Sequence, residues 1–139
     1  MRKGHVFESE IKKVMDYIIN LGYHAHKNHP ERTVSGKYLE GEPFDWEVFT
    51  PKYRAVFDAK ECASDTWHMQ EKDLRQANNL KKCRNAGLEA YFLINFSGKV
   101  KQLNIDKVIE VMSYNRKSFK IDECVDWELM KVIKEGGLV

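Results

Sequence analysis

The chain has 139 residues, 42% of them hydrophobic and 32% charged, a balance that fits one compact soluble domain (residues 1–139) and excludes disordered, collagenous and repeat architectures. Its 23 basic and 21 acidic residues leave a net charge of +2, too even to indicate a nucleic-acid partner by itself. Cys62, Cys83 and Cys124 are far apart and form no Cys-x-x-Cys pair, which argues for reduced thiols and against a zinc ribbon or a disulfide-stapled secreted fold.

The N-terminal stretch contains no apolar run of signal-peptide length, and no segment approaches the roughly 18 apolar residues of a membrane span. A cytoplasmic protein with no membrane partner is expected. Charge is unevenly distributed along the chain. Lys72 to Arg84 holds five bases against Asp73 alone, and Lys99 to Lys120 holds six against Asp106 and Glu110. From Asp122 to Val139 five acids face Lys131 and Lys134. Such runs usually solvate a helix face, yet in this order they also give a folded chain a basic and an acidic side.

Phe7, Ile11, Val14, Met15, Ile18 and Leu21 recur at helical spacing, so a helix is expected from about residue 5 to 21, stopped by Gly22. Tyr23 to His26 reads as a short strand, followed by a polar loop bending at Pro30, Gly36 and Gly41 and ending near Pro43. Phe44, Trp46 and Val48 alternate with Asp45 and Glu47, the period of a half-buried strand. Thr50-Pro51-Lys52 turns the chain into a second strand, Tyr53 to Glu61, which makes an antiparallel hairpin. After a polar stretch at Ala63 to Thr66, a helix is expected over Met69 to Asn85, closed by Gly87. Ala90 to Ile94 is a continuous apolar run suited to a central strand, ended by Ser97-Gly98. Two short helices follow, one through Ile105, Val108, Ile109 and Met112, the other through Val125, Leu129 and Val132 up to Gly136-Gly137. The fold class is therefore α/β.

The strongest chemical feature is Phe57-Asp58-Ala59-Lys60-Glu61 on the second hairpin strand. Alternate residues of a strand share a face about 6 to 7 Å apart, so Asp58 and Lys60 point one way and Phe57 and Ala59 the other. Registering the hairpin through the turn near Pro51 brings Asp45 alongside Asp58. Adjacent carboxylates repel unless a cation lies between them, and their hard oxygens suit magnesium or manganese. A divalent ion with a neighbouring lysine is the equipment of phosphodiester hydrolysis. Glu10-Ile11-Lys12 repeats the acid-x-lysine pattern, but on a helix residues two apart diverge and cannot share an ion.

Other signals are weaker. His24, His26 and His29 make a His-x-His-x-x-His run, yet no cysteine or acid completes a tetrahedral zinc set. Trp67 is expected to pack at the helix start, with His68 beside it as a candidate phosphate contact. Cys62 lacks the histidine and acid of a nucleophilic thiol.

The order of helix, Asp45, Asp58-x-Lys60, helix and strand resembles the PD-(D/E)xK nuclease superfamily, and within it the RecU-type Holliday junction resolvases. Lys3-Gly4 with Phe7-Glu8 is similar to that family's opening Arg-Gly and helix glutamate, and His26-Lys27 to its His-Lys. Phe57-Asp58-Ala59-Lys60-Glu61 resembles its Phe-Glu-Ala-Lys-Glu, Asp58 follows Asp45 by 13 positions, a separation similar to that between the family's two metal-binding acids, and Gln76 falls at its helix glutamine. Arg116-Lys117-Ser118-Phe119 and Glu135-Gly136-Gly137 resemble its Arg-Lys-Ser-Ile and closing Glu-x-Gly. The chain departs from the pattern in having Phe44-Asp45 where the family has Thr-Asp, and Asp58 where it has Glu. The segment from Asn28 to Glu42 is also much shorter than the stalk of the cellular enzymes, a trimming that would suit a phage-encoded homologue.

The resemblance implies a restriction-endonuclease-like core: helix, three-stranded meander, helix and strand, with extra C-terminal helices. It implies a homodimeric endonuclease that cuts branched double-stranded DNA with Mg2+ or Mn2+. Asp45, Asp58 and the main-chain carbonyl of Ala59 would bind the metal, with Glu8 as an outer or occasional ligand. Lys60 would position the attacking water and Gln76 would support it. Arg2, Lys3, Arg75, Lys81, Lys82, Arg116 and Lys117 would contact phosphates. Two other readings stay open: a nuclease of the same superfamily with flap, end or duplex specificity, and a non-catalytic nucleic-acid-binding module.

Overall fold

The computed structural model describes residues 3–28 and 44–138. Its elements run α1 (Lys3–Asn20), β1 (His24–Lys27), β2 (Trp46–Phe49), β3 (Arg54–Cys62), β4 (Thr66–His68), α2 (Glu71–Asn85), β5 (Glu89–Phe96), β6 (Lys99–Asn104), α3 (Ile105–Met112), β7 (Ser118–Lys120), β8 (Val125–Asp126) and α4 (Glu128–Lys134). The bends expected at Pro30, Gly36, Gly41 and Pro43 lie outside the described residues, as do His29, Arg2 and the side chain of Lys3. Among the described residues no helix is long and apolar enough to cross a membrane.

Six strands form one sheet in the order β1-β2-β3-β5-β6-β8. Neighbours run antiparallel except β3 and β5, which are parallel over Ala55–Cys62 and Glu89–Phe96. A parallel pair needs a crossover, and α2 supplies it. The α1 stripe of Phe7, Ile11, Met15 and Ile18 packs with Leu129 of α4 on one face, against Trp46, Val48, Ala55, Phe57, Tyr91 and Leu93. On the other face Ala77 and Leu80 of α2 and Val108 and Val111 of α3 cover Val56, Phe92 and Ile94. Strand β3 is thus buried on both sides, with Phe57 and Ala59 directed to α1 and Val56, Asp58 and Lys60 directed to α2. Gly22 ends the first helix at φ +95°, a conformation glycine enters without a side-chain penalty.

The expected helix, three-stranded meander, helix and strand are all present, and the sheet is wider than expected. Ser97 and Gly98 turn the chain through φ values of 50° and 100° instead of ending the sheet. Two consecutive left-handed residues make the tight hairpin that pairs Phe96 with Lys99 and lays β6 beside β5. β8 then pairs with β6 in the segment read as the start of the last helix, which begins only at Glu128. Thr66 to His68, read as the end of a polar stretch and the approach to a helix, joins β7 in a separate two-stranded ribbon. Its Trp67 is buried against Phe92 and Phe119, at ring centroid distances of 5.0 and 6.0 Å, while His68 is exposed. α2 starts at Glu71 rather than Met69: Gln70 is extended (φ −104°, ψ 174°) and caps the helix, and the Met69 N–H pairs instead with the Lys117 carbonyl at 2.8 Å. All three cysteines are free thiols.

Phe57 stacks on Tyr91 at 5.0 Å and on Trp46 at 6.3 Å, and takes the edge of Trp127 at 5.9 Å. Phe57→Ala should cost about 3–5 kcal/mol, as expected for emptying a fully buried aromatic site, measured as a fall in urea-unfolding free energy.

Candidate active site

The site is built where β2 enters its pairing with β3. The register sets Trp46 opposite Phe57, and the next pair along brings Asp45 to Asp58. The Asp45 N–H donates to Asp58 Oδ1 at 2.8 Å, and the Ala59 N–H donates to Asp45 Oδ2 at 3.2 Å. Each carboxylate is therefore anchored on the main chain of the other's segment. Asp58 is 0% exposed, and its Oδ2 is buried without a hydrogen-bond partner. Burial pushes the Asp58 carboxyl up to about 8, and the Asp45 charge adds to the shift while Lys60 opposes it.

Lys60 projects from the same face but is engaged elsewhere. Its Nζ lies 2.5 Å from Gln76 Oε1 and 2.7 Å from Asp73 Oδ1, both on α2, and 6.0 Å from the centre of the Phe92 ring. Along α2, Asp73, Gln76, Ala77 and Leu80 fall on the inward stripe, polar at the helix start above Lys60 and apolar further on. Sequence reasoning found Gln76 through the resemblance and missed Asp73. The signal was the capping box Gln70-x-x-Asp73, whose Gln70 N–H donates to Asp73 Oδ2 at 2.8 Å.

The donor set fits a hard divalent cation. Two carboxylates lie side by side, one of them with a buried oxygen unpartnered, and the nearby lysine is committed to α2. Among the described residues no three His, Cys, Asp or Glu side chains converge on one point, so a cation here would need oxygen beyond the two carboxylates, for which the main-chain carbonyl of Ala59, next to Asp58 in the chain, is the candidate. Glu8 is not brought to the pair. It forms an ion pair with Lys27 of β1, whose Nζ sits 5.5 Å from the centre of the Trp46 ring.

The expected phosphate contacts divide. Arg75, Lys81 and Lys82 are exposed on α2, and Lys117 is exposed before β7. Arg116, expected to face phosphate, instead forms an ion pair with Glu123 three residues past β7. Arg84 pairs with Asp106 at 3.2 Å. His24 and His26 share a face of β1, and His24 Nε2 lies 2.7 Å from Glu47 Oε2. Cys62 Sγ contacts the Ser64 carbonyl at 3.4 Å, and burial pushes its thiol up, unlike an activated nucleophile.

A helix, a three-strand meander, a crossover helix and a parallel strand, with two acids and a lysine gathered on the middle of it, define a restriction-endonuclease-like core. The sequence matches the model of the family described as RecU, Recombination protein U, over residues 3–136, and the chain belongs to that family. Its fold is similar to that of Hjc from Archaeoglobus fulgidus, a Holliday junction resolvase from an archaeal hyperthermophile. The TM-score is 0.54 at 12% sequence identity, covering 86% of this chain and 94% of that one. No curated protein matches the chain.

The raised Asp58 carboxyl sets a direction for stability. The folded protein keeps its proton to about pH 8, whereas the unfolded chain releases it near pH 4. The stability held below about pH 4 is therefore lost as pH rises toward 8. In chelator, urea midpoints should fall from pH 5 to pH 9, and Asp58→Asn should flatten that fall.

Proposed function

We propose that the protein is a divalent-metal-dependent endonuclease that resolves Holliday (four-way) junctions by paired phosphodiester hydrolysis as a homodimer. The observation that carries this reading is the Asp45–Asp58 pair, with Lys60 on the same strand face, in a chain of the Recombination protein U family. The fold shared with a Holliday junction resolvase supports the junction as substrate.

In this reading Asp45, Asp58 and the Ala59 carbonyl hold Mg2+ or Mn2+. Bound there, such an ion would supply Lewis acidity toward the phosphodiester and a lowered pKa for the attacking water. The chain's own residues do the positioning. Main-chain N–H groups fix both carboxylates before substrate arrives, so little reorganisation accompanies binding. Lys60 donates from its ammonium to the attacking water and to the charge that develops on phosphate, and Gln76 holds that ammonium through Oε1. Glu8, taken up by Lys27, is left out of the ligand set. Arg75, Lys81, Lys82 and Lys117, with Arg2 and Lys3, meet phosphates and set the DNA backbone without reading bases. Arg116 joins them by exchanging Glu123 for a phosphate. A two-fold dimer presents two such sites to a two-fold junction, which is the physical basis for paired nicks.

The test uses end-labelled four-way junction and linear duplex of matched sequence, incubated with magnesium, manganese or chelator and resolved on a denaturing gel. Symmetric, metal-dependent nicks confined to the junction are expected. Asp58→Asn should reduce cutting to background while leaving junction binding intact in a gel shift. Equal cutting of duplex would transfer the site to a nuclease of another DNA specificity. No cutting with either metal would leave a nucleic-acid-binding module.

A further inference from the structure

One buried charge next to the site has no part in the chemistry above. Asp73, in the first turn of α2, is 3% exposed. Its Oδ2 accepts the Gln70 N–H at 2.8 Å, which fixes the carboxylate to the start of the helix. Its Oδ1 lies 2.7 Å from Lys60 Nζ and has no hydrogen-bond partner of its own, so the contact is ionic and depends on that one ammonium. Gln76 stands three residues further along the same face and takes Nζ at 2.5 Å. The Phe92 ring lies 6.0 Å from Nζ and leaves the lysine an apolar floor.

Lysine is a point charge on a flexible four-carbon stem, and nothing in its own covalent structure aims it. Asp58 lies two residues away on the same strand face with Asp45 beside it on the neighbouring segment, and ionised carboxylates there attract the ammonium as well as a metal ion. An unrestrained Lys60 would close onto Asp58 and occupy the place of the cation. Gln76 Oε1 accepts from the ammonium but carries no charge, so the ionic counter-pull from another element comes from Asp73.

We propose that Asp73 is a positioning residue for the nuclease centre: its helix-anchored carboxylate holds the Lys60 ammonium toward α2, as an oriented donor, and keeps it off the metal-binding pair. This rests on the nuclease reading above and adds to it the residue that aims the lysine. The cap and the clamp are separable, because an Asn side chain retains an oxygen for the Gln70 N–H while losing the charge toward Lys60.

Asp73→Asn should therefore lower kcat for junction cleavage by about 10- to 100-fold, the scale on which misplacing a reacting group by about 1 Å acts. KM for the junction should stay within about twofold, and the magnesium concentration for half-maximal rate should rise. A thermal-unfolding cycle provides a second readout. Lys60→Met strands the Asp73 carboxylate and should lower Tm, and adding Asp73→Asn to it should recover roughly 3 °C or more. Wild-type kcat in Asp73→Asn, or a rate loss matched by an equal loss of junction affinity, would overturn the role. So would Tm shifts of Lys60→Met and Asp73→Asn that simply add. If the wild-type protein cuts no DNA at all, the nuclease reading fails, and the unfolding cycle alone still decides whether Asp73 holds Lys60.

Discussion

Two carboxylates are kept next to each other because each takes a main-chain N–H from the other's segment, and the rest of the structure depends on that reciprocal hold. It places two carboxyl groups together where water solvates them poorly, at a cost to ionisation visible in the raised Asp58 carboxyl. A fold tolerates such a cost only on a rigid support. Strand β3 is that support, since it is hydrogen-bonded on both edges, to β2 and β5, and covered on both faces. The aromatic stack of Trp46, Phe57 and Tyr91 on the α1 side fixes the strand from beneath.

Helix α2 connects core packing to chemistry. Because β3 and β5 run parallel, the connection between them must cross the sheet, and it lies over the face that carries Asp58 and Lys60. One stripe of this helix therefore serves two purposes. Ala77 and Leu80 bury themselves against the sheet, and the turn before them brings Gln76 and Asp73 to the lysine. A shift of the helix along its axis would disturb both at once.

The parts of the fold that were legible in the sequence are those with a clear hydrophobic period. The α1 stripe, the alternation of Trp46 and Val48, and the apolar run of β5 each bury large side chains in a regular pattern. Lys99–Asn104 escaped because its inward positions include the polar Gln102, whose side chain is satisfied by Asn104 and by the Glu128 N–H. Two-residue β8 and three-residue β4 are too short to show any period, and they exist through tertiary pairing. At the site, Asp45 and Asp58 were legible because strand alternation and a short turn suffice to bring them together. Asp73 was not, since its partner lies thirteen residues away on another element and its acid reads equally well as a helix cap. Glu8 and Arg116 each lie beside an opposite charge, Lys27 or Glu123, that spacing along the chain does not reveal.

The pairing of β2 with β3 also says where insertions and deletions are tolerable. Register on a strand has a period of two, so gaining or losing one residue between Phe49 and Arg54 would turn Asp45 to the α1 side and separate the acids. The length of that turn is a chemical constraint. The stretch joining β1 to β2 carries no such constraint, because Asp45 takes its register from β3, and lengthening a connection costs little in closure entropy. Relatives with the same acids should therefore differ widely in length before β2 and scarcely at all in the turn between β2 and β3.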